Sequence, residues 1–91
     1  MKNIDYEKQA EIFKSLGHPT RLMLAHKLRK KELCVCELNE FVEIDQSTLS
    51  RHLKILKDSG VLKSRKVSMQ VFYSLRVPCL LDNILECINK V

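Results

Sequence analysis

Apolar residues recur at helical spacing along most of the chain, and the period drops to two only between Val61 and Leu75. Tyr6, Ala10 and Phe13, with Ile12 and Leu16 beside them, predict a first helix within Ile4–Leu16. Gly17 is expected to end it in a left-handed conformation, and Pro19 to open the next helix at its first turn. His18 precedes a proline and is biased toward an extended backbone between the two. The second helix, Pro19 to about Lys30, presents Leu22, Ala25 and Leu28, with Leu24 alongside, as its buried face. Cys34-Val35-Cys36-Glu37 has the form of a capping box with a thiol where serine or threonine normally stands. Cys34 then sits at the N-cap, Cys36 in the first turn and Glu37 at the third helical position of a short helix running through Phe41. After a turn at Val42-Glu43-Ile44, Asp45 caps the next helix, which buries Leu49, Leu53 and Leu56 and ends at Ser59-Gly60.

The stripe of that helix opposite the leucines is Ser47, Ser50, Arg51, Lys54 and Asp58, and Gln46, Ser47, Thr48, Ser50, Arg51 and His52 are its candidate DNA-reading residues, with Lys54 placed for a phosphate. Short donors and acceptors along one stripe, with cations nearby, are what a helix needs to meet base edges and phosphates in a major groove. Val71, Tyr73 and Leu75 alternate with Phe72 and Ser74, and the polar segment Lys63 to Lys66 faces them across a turn near Val67-Ser68-Met69. A hairpin directly after a recognition helix reads as a wing, with Lys63, Arg65 and Lys66 placed for DNA backbone or minor groove. Pro78 opens a last helix with Leu81, Ile84, Leu85 and Ile88 as its apolar residues. The fold class is mainly α with a β-hairpin wing: a winged helix-turn-helix in the order α-α-(β)-α-α-β-β-α. No repeat, low-complexity tract or linker divides the chain, so residues 1–91 read as a single DNA-binding domain. A core of this size is marginal alone and leaves the last helix little to cover, so a homodimer is expected.

Composition narrows the partners. The chain has 91 residues, 45% of them hydrophobic and 30% charged, as in a folded protein and not a disordered tail. Its net charge of +5, from 16 Lys and Arg against 11 Asp and Glu, favours a polyanionic partner such as double-stranded operator DNA. No apolar run approaches the ~18 residues of a membrane span. The N-terminal MKNIDYEKQ lacks an apolar export core, so no membrane contact and a cytoplasmic location are expected. The four cysteines are then expected to be reduced, as buried hydrophobes, metal ligands or redox sensors. No general base, nucleotide loop or substrate pocket is legible, so neither an enzyme nor an organic cofactor is expected.

The Cys34-Val35-Cys36 pair is the other candidate for chemistry. Inside a regular helix, residues two apart point about 200° from each other and cannot share an ion. With Cys34 at a non-helical cap, or the first turn unwound, the two sulfurs can converge. A helix N-terminus also favours thiolate, which helps both metal binding and oxidation. Cys79 follows the last strand of the wing, which in a winged helix usually pairs with the segment holding Leu33 and Cys34, so Cys79 is a candidate third ligand. Cys79 and Cys87 lie about 12 Å apart along one predicted helix and cannot chelate one ion together; Cys87 reads as core. His18, His26 and His52 have no ligand spacing to one another.

The segments LGHPTRL from Leu16, ELCVCEL from Glu32, DQSTLSRHLKILKDSGVL from Asp45 and VFYSL from Val71 resemble the ArsR/SmtB family of metalloregulatory winged-helix repressors, over nearly the whole chain. ELCVCEL is the specific element, being similar to the trivalent-arsenic site of the arsenic-responsive members. The resemblance implies a homodimer that represses its operator until As(III) or Sb(III) binds Cys34 and Cys36. Thiolates prefer soft ions, so Cd(II) and Pb(II) are also admissible. Sensors of those metals in the family add N-terminal cysteines, and none precedes Cys34 here, which favours arsenic. A thiol redox or persulfide sensor on the same scaffold is the other alternative. The chain departs from the family pattern in three places. Asn39 stands where arsenic repressors can carry a third cysteine, Val67-Ser68-Met69 replaces the usual wing-tip glycine, and the last helix lacks the Asp/His set of the zinc sensors.

Overall fold

Asp5 starts the first helix, α1 (Tyr6–Leu16), by accepting the Lys8 amide on its carboxylate at 3.0 Å. The computed structural model describes residues 4–76 and 79–91, without the side chains of residues 79 and 80. Helix α1 buries Ser15 and Leu16, with Ile12 packed against the core, whereas Tyr6, Ala10 and Phe13 of the predicted apolar face are exposed. Gly17 does not take the expected left-handed conformation. Its φ is −82°, and its amide closes the helix on the Lys14 carbonyl, so the turn needs no positive φ.

His18 is extended, as expected before proline, and caps α2 (Pro19–Lys27) by accepting the Thr20 amide on Nδ1. Helix α2 stops three residues short of the predicted Lys30 and buries Leu24 and Ala25; Leu28, just past its end, is buried too, and Leu22 is half-buried. The chain then enters β1 (Leu33–Cys34) and, without a gap, α3 (Val35–Leu38). The predicted capping box is present in full: the Glu37 amide donates to Cys34 Sγ at 3.3 Å, and the Cys34 amide donates to the Glu37 carboxylate at 3.1 Å. Helix α3 ends at Leu38, and the expected extension to Phe41 is taken up by turns.

The predicted recognition helix is α4 (Gln46–Asp58), capped by Asp45 and anchored by the fully buried Leu49, Leu53 and Leu56. It ends at Ser59-Gly60, where the glycine has a φ of 90° that a side chain would resist. Ser59 Oγ donates to Ser15 Oγ at 2.9 Å, fixing this end of α4 to α1. The wing follows as β2 (Leu62–Val67) and β3 (Gln70–Leu75), antiparallel from Leu62↔Leu75 to Val67↔Gln70. At its tip, with no glycine available, Ser68 takes the positive φ of 58°. Strand β1 pairs with the far edge of β3, Leu33↔Tyr73 and Cys34↔Phe72, giving the sheet order β1-β3-β2.

The predicted last helix is divided at Asn83 into α5 (Cys79–Asp82) and α6 (Ile84–Asn89); its expected opening at Pro78 lies outside the described residues. Leu81, read as an interface residue, joins the core made by Leu24, Leu38, Leu53 and Leu62. Ile84 and Leu85 are half-buried, and from Glu86 onward every residue is exposed. Cys87, read as core, is therefore free and exposed, because the chain past Asn83 leaves the hydrophobic cluster. The architecture is the expected winged helix-turn-helix with this one change.

Candidate DNA interface and cysteine site

The leucine stripe of α4 turns the opposite stripe outward: Gln46, Ser47, Ser50, Arg51 and Lys54 are exposed and Thr48 is half-buried. Asp45 does more than cap this helix. Its carboxylate accepts the hydroxyls of Ser47 and Thr48 and the Thr48 amide, and these bonds, led by Ser47, hold its pKa at about 2. The Ser47 and Thr48 hydroxyl protons are thereby committed to Asp45, leaving their oxygens as acceptors. Lys54 pairs with Asp58 one turn on, at 2.7 Å, with both side chains in solvent. Such an exposed pair is worth little and leaves the lysine free to move to a phosphate.

The structure differs from expectation at two basic residues. His52 does not lie on the open stripe. It is half-buried, with Nδ1 3.3 Å from Arg21 Nη1 and its ring 4.6 Å from that of His18. Burial, then its basic neighbours His18, Arg21 and Arg51, lowers its pKa. Arg65, expected to hold a phosphate, is clasped by Glu32 through two contacts of 2.7 Å that reach across β3. The pair lowers the pKa of Glu32 and raises that of Arg65. The other two wing cations, Lys63 and Lys66, are exposed. Sequence reasoning missed Glu32, whose partner stands 33 residues away on a strand that only the sheet order brings near.

Cys34 and Cys36 are joined as a disulfide, with their Cα atoms 5.3 Å apart. The convergence of the two sulfurs follows from the cap: Cys34 has extended backbone, φ −81° and ψ 165°, and so escapes the opposed directions of helical residues two apart. Cys34 is buried between α3 and the sheet, whereas Cys36 is exposed. The Cys79 side chain, the expected third ligand, lies outside the described residues. Among the described residues no group of three or more His, Cys, Asp or Glu is arranged to hold a metal ion. The cysteine pair does have a consequential neighbourhood. A cleft of about 560 Å³ is lined by Cys34, Cys36 and Asn39 on one side, Gln46 and Ser50 of α4 on another, and Met69, Gln70 and Tyr73 of the wing on a third. One site thus touches both elements that would hold DNA.

A capped helix presenting a polar stripe beside a basic hairpin defines a winged helix-turn-helix DNA-binding regulator. The chain belongs to the ArsR family: the model described as "Bacterial regulatory protein, arsR family" matches residues 18–64, from the cap of α2 into β2. It is a DNA-binding transcriptional regulator and not an enzyme. An uncharacterized HTH-type transcriptional regulator of Methanocaldococcus jannaschii is 46% identical over 69 residues, covering 75% of this chain and 78% of that protein. The arsenical resistance operon repressor of Staphylococcus aureus is 34% identical over 88 residues, covering 97% and 84% of the two chains. The crystal structure of the transcriptional repressor BigR from Xylella fastidiosa matches with a TM-score of 0.79 and 38% identity, covering 91% of this chain and 87% of that one. No helix among the described residues is long and apolar enough to cross a membrane.

Proposed function

We propose that the chain is a homodimeric repressor that binds double-stranded operator DNA and leaves it when As(III) or Sb(III) occupies Cys34 and Cys36. Residues 1–91 act as one DNA-binding domain. Gln46, Ser47, Thr48, Ser50 and Arg51 read the major groove, with Lys54, Lys63 and Lys66 on phosphates. The observation that carries this reading is the shared cleft, whose walls are the cysteine pair, the start of α4 and the wing. The reduced pair offers two thiolates from backbone positions already 5.3 Å apart, a spacing suited to one soft ion. A water, a small thiol or Cys79 completes the site. Cys34 is simultaneously ligand, cap of α3 and β3 partner, so occupancy there bears on all three contacts. An ion weakens DNA binding only by the difference between its affinities for the free and the DNA-bound protein. On this reading the difference arises because chelation pulls the cap and first turn of α3 out of register, so that α4, joined to it through a short turn, no longer fits the groove. The similarity to the Staphylococcus aureus arsenical resistance operon repressor supports the choice of inducer.

A second reading is favoured by the disulfide itself: oxidation of the pair, two thiols giving one disulfide, two protons and two electrons to a peroxide or polysulfide, is the signal. Anisotropy of a labelled duplex from the chain's own promoter separates the two. On the metalloid reading, arsenite releases the reduced parent protein while Cys34→Ser and Cys36→Ser stay bound. Release by peroxide or polysulfide but not by arsenite selects the redox reading. A variant lacking Cys34 that leaves DNA at the parent's arsenite concentration removes the pair from the metalloid reading and leaves the redox reading or a site on the last helix.

A further inference from the structure

Three elements meet where α1 ends, α2 begins and the middle of α4 passes, and the side chains there form a polar cluster apart from the reading stripe. Arg21 Nε donates to the Ser15 carbonyl at 2.6 Å, and Arg21 Nη1 lies 3.3 Å from His52 Nδ1. Arginine has donors only, so His52 Nδ1 is the acceptor. His18 Nδ1 likewise accepts the Thr20 amide, at 3.1 Å. With both Nδ1 atoms accepting, each neutral ring must carry its proton on Nε2. The two rings are 4.6 Å apart between centroids and tilted by 44°, and among the described residues neither Nε2 has a hydrogen-bond partner. The basic side chains acting on His52 are His18 between α1 and α2, Arg21 from α2 and Arg51 from α4, and Ser15 from α1 is uncharged.

We infer that His18 and His52 form a paired Nε2–H site for the non-bridging oxygens of one DNA phosphodiester, with Arg21 as the positioning residue that fixes the His52 tautomer. Two donors from two elements suit the two oxygens of a phosphodiester. A base edge is the poorer match, since His18 stands off the recognition helix, and an all-basic surround selects for an anion. This rests on the DNA-binding reading, brings in His18 and Arg21, and moves His52 from the base edges to a phosphate. With Nδ1 accepting on each ring, donation from Nε2–H brings no added positive charge to the phosphate, so the pair positions the duplex without releasing counterions, unlike the wing lysines.

The test uses the full chain with a random-sequence duplex and with a duplex selected for tight binding. His18→Asn keeps an N-cap, since asparagine is a strong one, but removes the Nε2 donor. His52→Asn keeps an acceptor near Nδ1 and removes the donor, whereas His52→Gln restores an N–H near the Nε2 position. Both asparagine variants are expected to lose about tenfold on both duplexes, the scale of a hydrogen bond to a charged group. The log–log salt slope stays unchanged, and His52→Gln returns most of the affinity. Long-range proton–nitrogen NMR of the free protein should show Nε2–H tautomers for both rings. Nδ1–H on either ring overturns the proposal, as does a loss confined to the selected duplex, which would mean base reading. Variants that bind like the parent overturn the site alone, whereas a parent that binds neither duplex overturns the DNA-binding reading together with it.

Discussion

Arg65 and Glu32 form a two-pronged ion pair in which arginine Nε and Nη2 each lie 2.7 Å from a carboxylate oxygen. The pair spans the sheet from the residue before β1 to the wing strand β2, and the guanidinium carbon stands 5.9 Å from the centre of the Phe72 ring on β3. Its charge is balanced within the protein, so it adds little to the net attraction for a polyanion. Lys66, exposed on the same strand, has no such partner among the described residues.

Removing Lys66 should therefore matter more to DNA than removing Arg65. Lys66→Ala is expected to weaken binding to all sequences and to lower the log–log salt slope by about one unit. Arg65→Ala should leave that slope within error of the parent, and Glu32→Gln, which frees the guanidinium, should raise it. Titrations over a range of salt concentrations measure this; an Arg65→Ala slope that falls as far as that of Lys66→Ala would show that the clasp opens on DNA.

The capping box gives a second prediction. Cys34 Sγ accepts the Glu37 amide at 3.3 Å, but sulfur is a weak acceptor. In reduced protein, Cys34→Ser should hold or raise the unfolding midpoint. Cys34→Ala, which leaves the amide unmet, should cost about 1 kcal/mol. Urea unfolding in the presence of a reductant measures both; an alanine variant as stable as the parent would remove the cap from the account of α3.

The elements read correctly from the sequence are those specified by local signals. The Cys34–Glu37 box, the Asp45 cap and the Leu49, Leu53, Leu56 stripe each lie within a few residues of their own partners, and the structure contains all of them. The pairing of β1 with β3 was also legible, once a wing had been read. What the sequence did not show depends on neighbours distant in sequence. Periodicity groups Tyr6, Ala10 and Phe13 on one face but does not say what covers that face. The donors of Arg65 and the Nδ1 of His52 are taken by Glu32 and Arg21, which lie 33 and 31 residues away and which no spacing rule connects to them. Cys87 looked like core because its helix was read as continuous, and the break at Asn83 carries it into solvent.

The exposed face of α1 leads to a third prediction. Tyr6 and Phe13 are 72% and 61% exposed, and Ile88 at the other end of the chain is 56% exposed. Large apolar side chains left open on two terminal elements of a small domain are what a self-complementary interface covers. Phe13→Glu is expected to turn a dimer into a monomer at micromolar concentration while keeping the helical circular-dichroism spectrum, as followed by sedimentation velocity. A parent protein that is itself monomeric there would contradict the homodimer.

The last prediction concerns pH and the environment of His52. Its pKa in the fold lies below the unfolded value of 6.5, first through burial and then through His18, Arg21 and Arg51. Between those two values the unfolded chain binds the proton and the fold does not, so stability rises with pH across that window. The stabilisation from a neutral His52 is complete above the unfolded value and is lost as pH falls through it toward the lower folded value. Protonation would also remove the acceptor that Arg21 uses, placing two cations in contact. Thermal unfolding between about pH 7.5 and about pH 5.5 should therefore show a midpoint that falls with acidification, and His52→Gln, which does not titrate, should flatten part of that fall. Equal slopes for parent and His52→Gln would mean that His52 titrates as freely in the fold as in the unfolded chain, and that its contact with Arg21 does not hold the ring neutral.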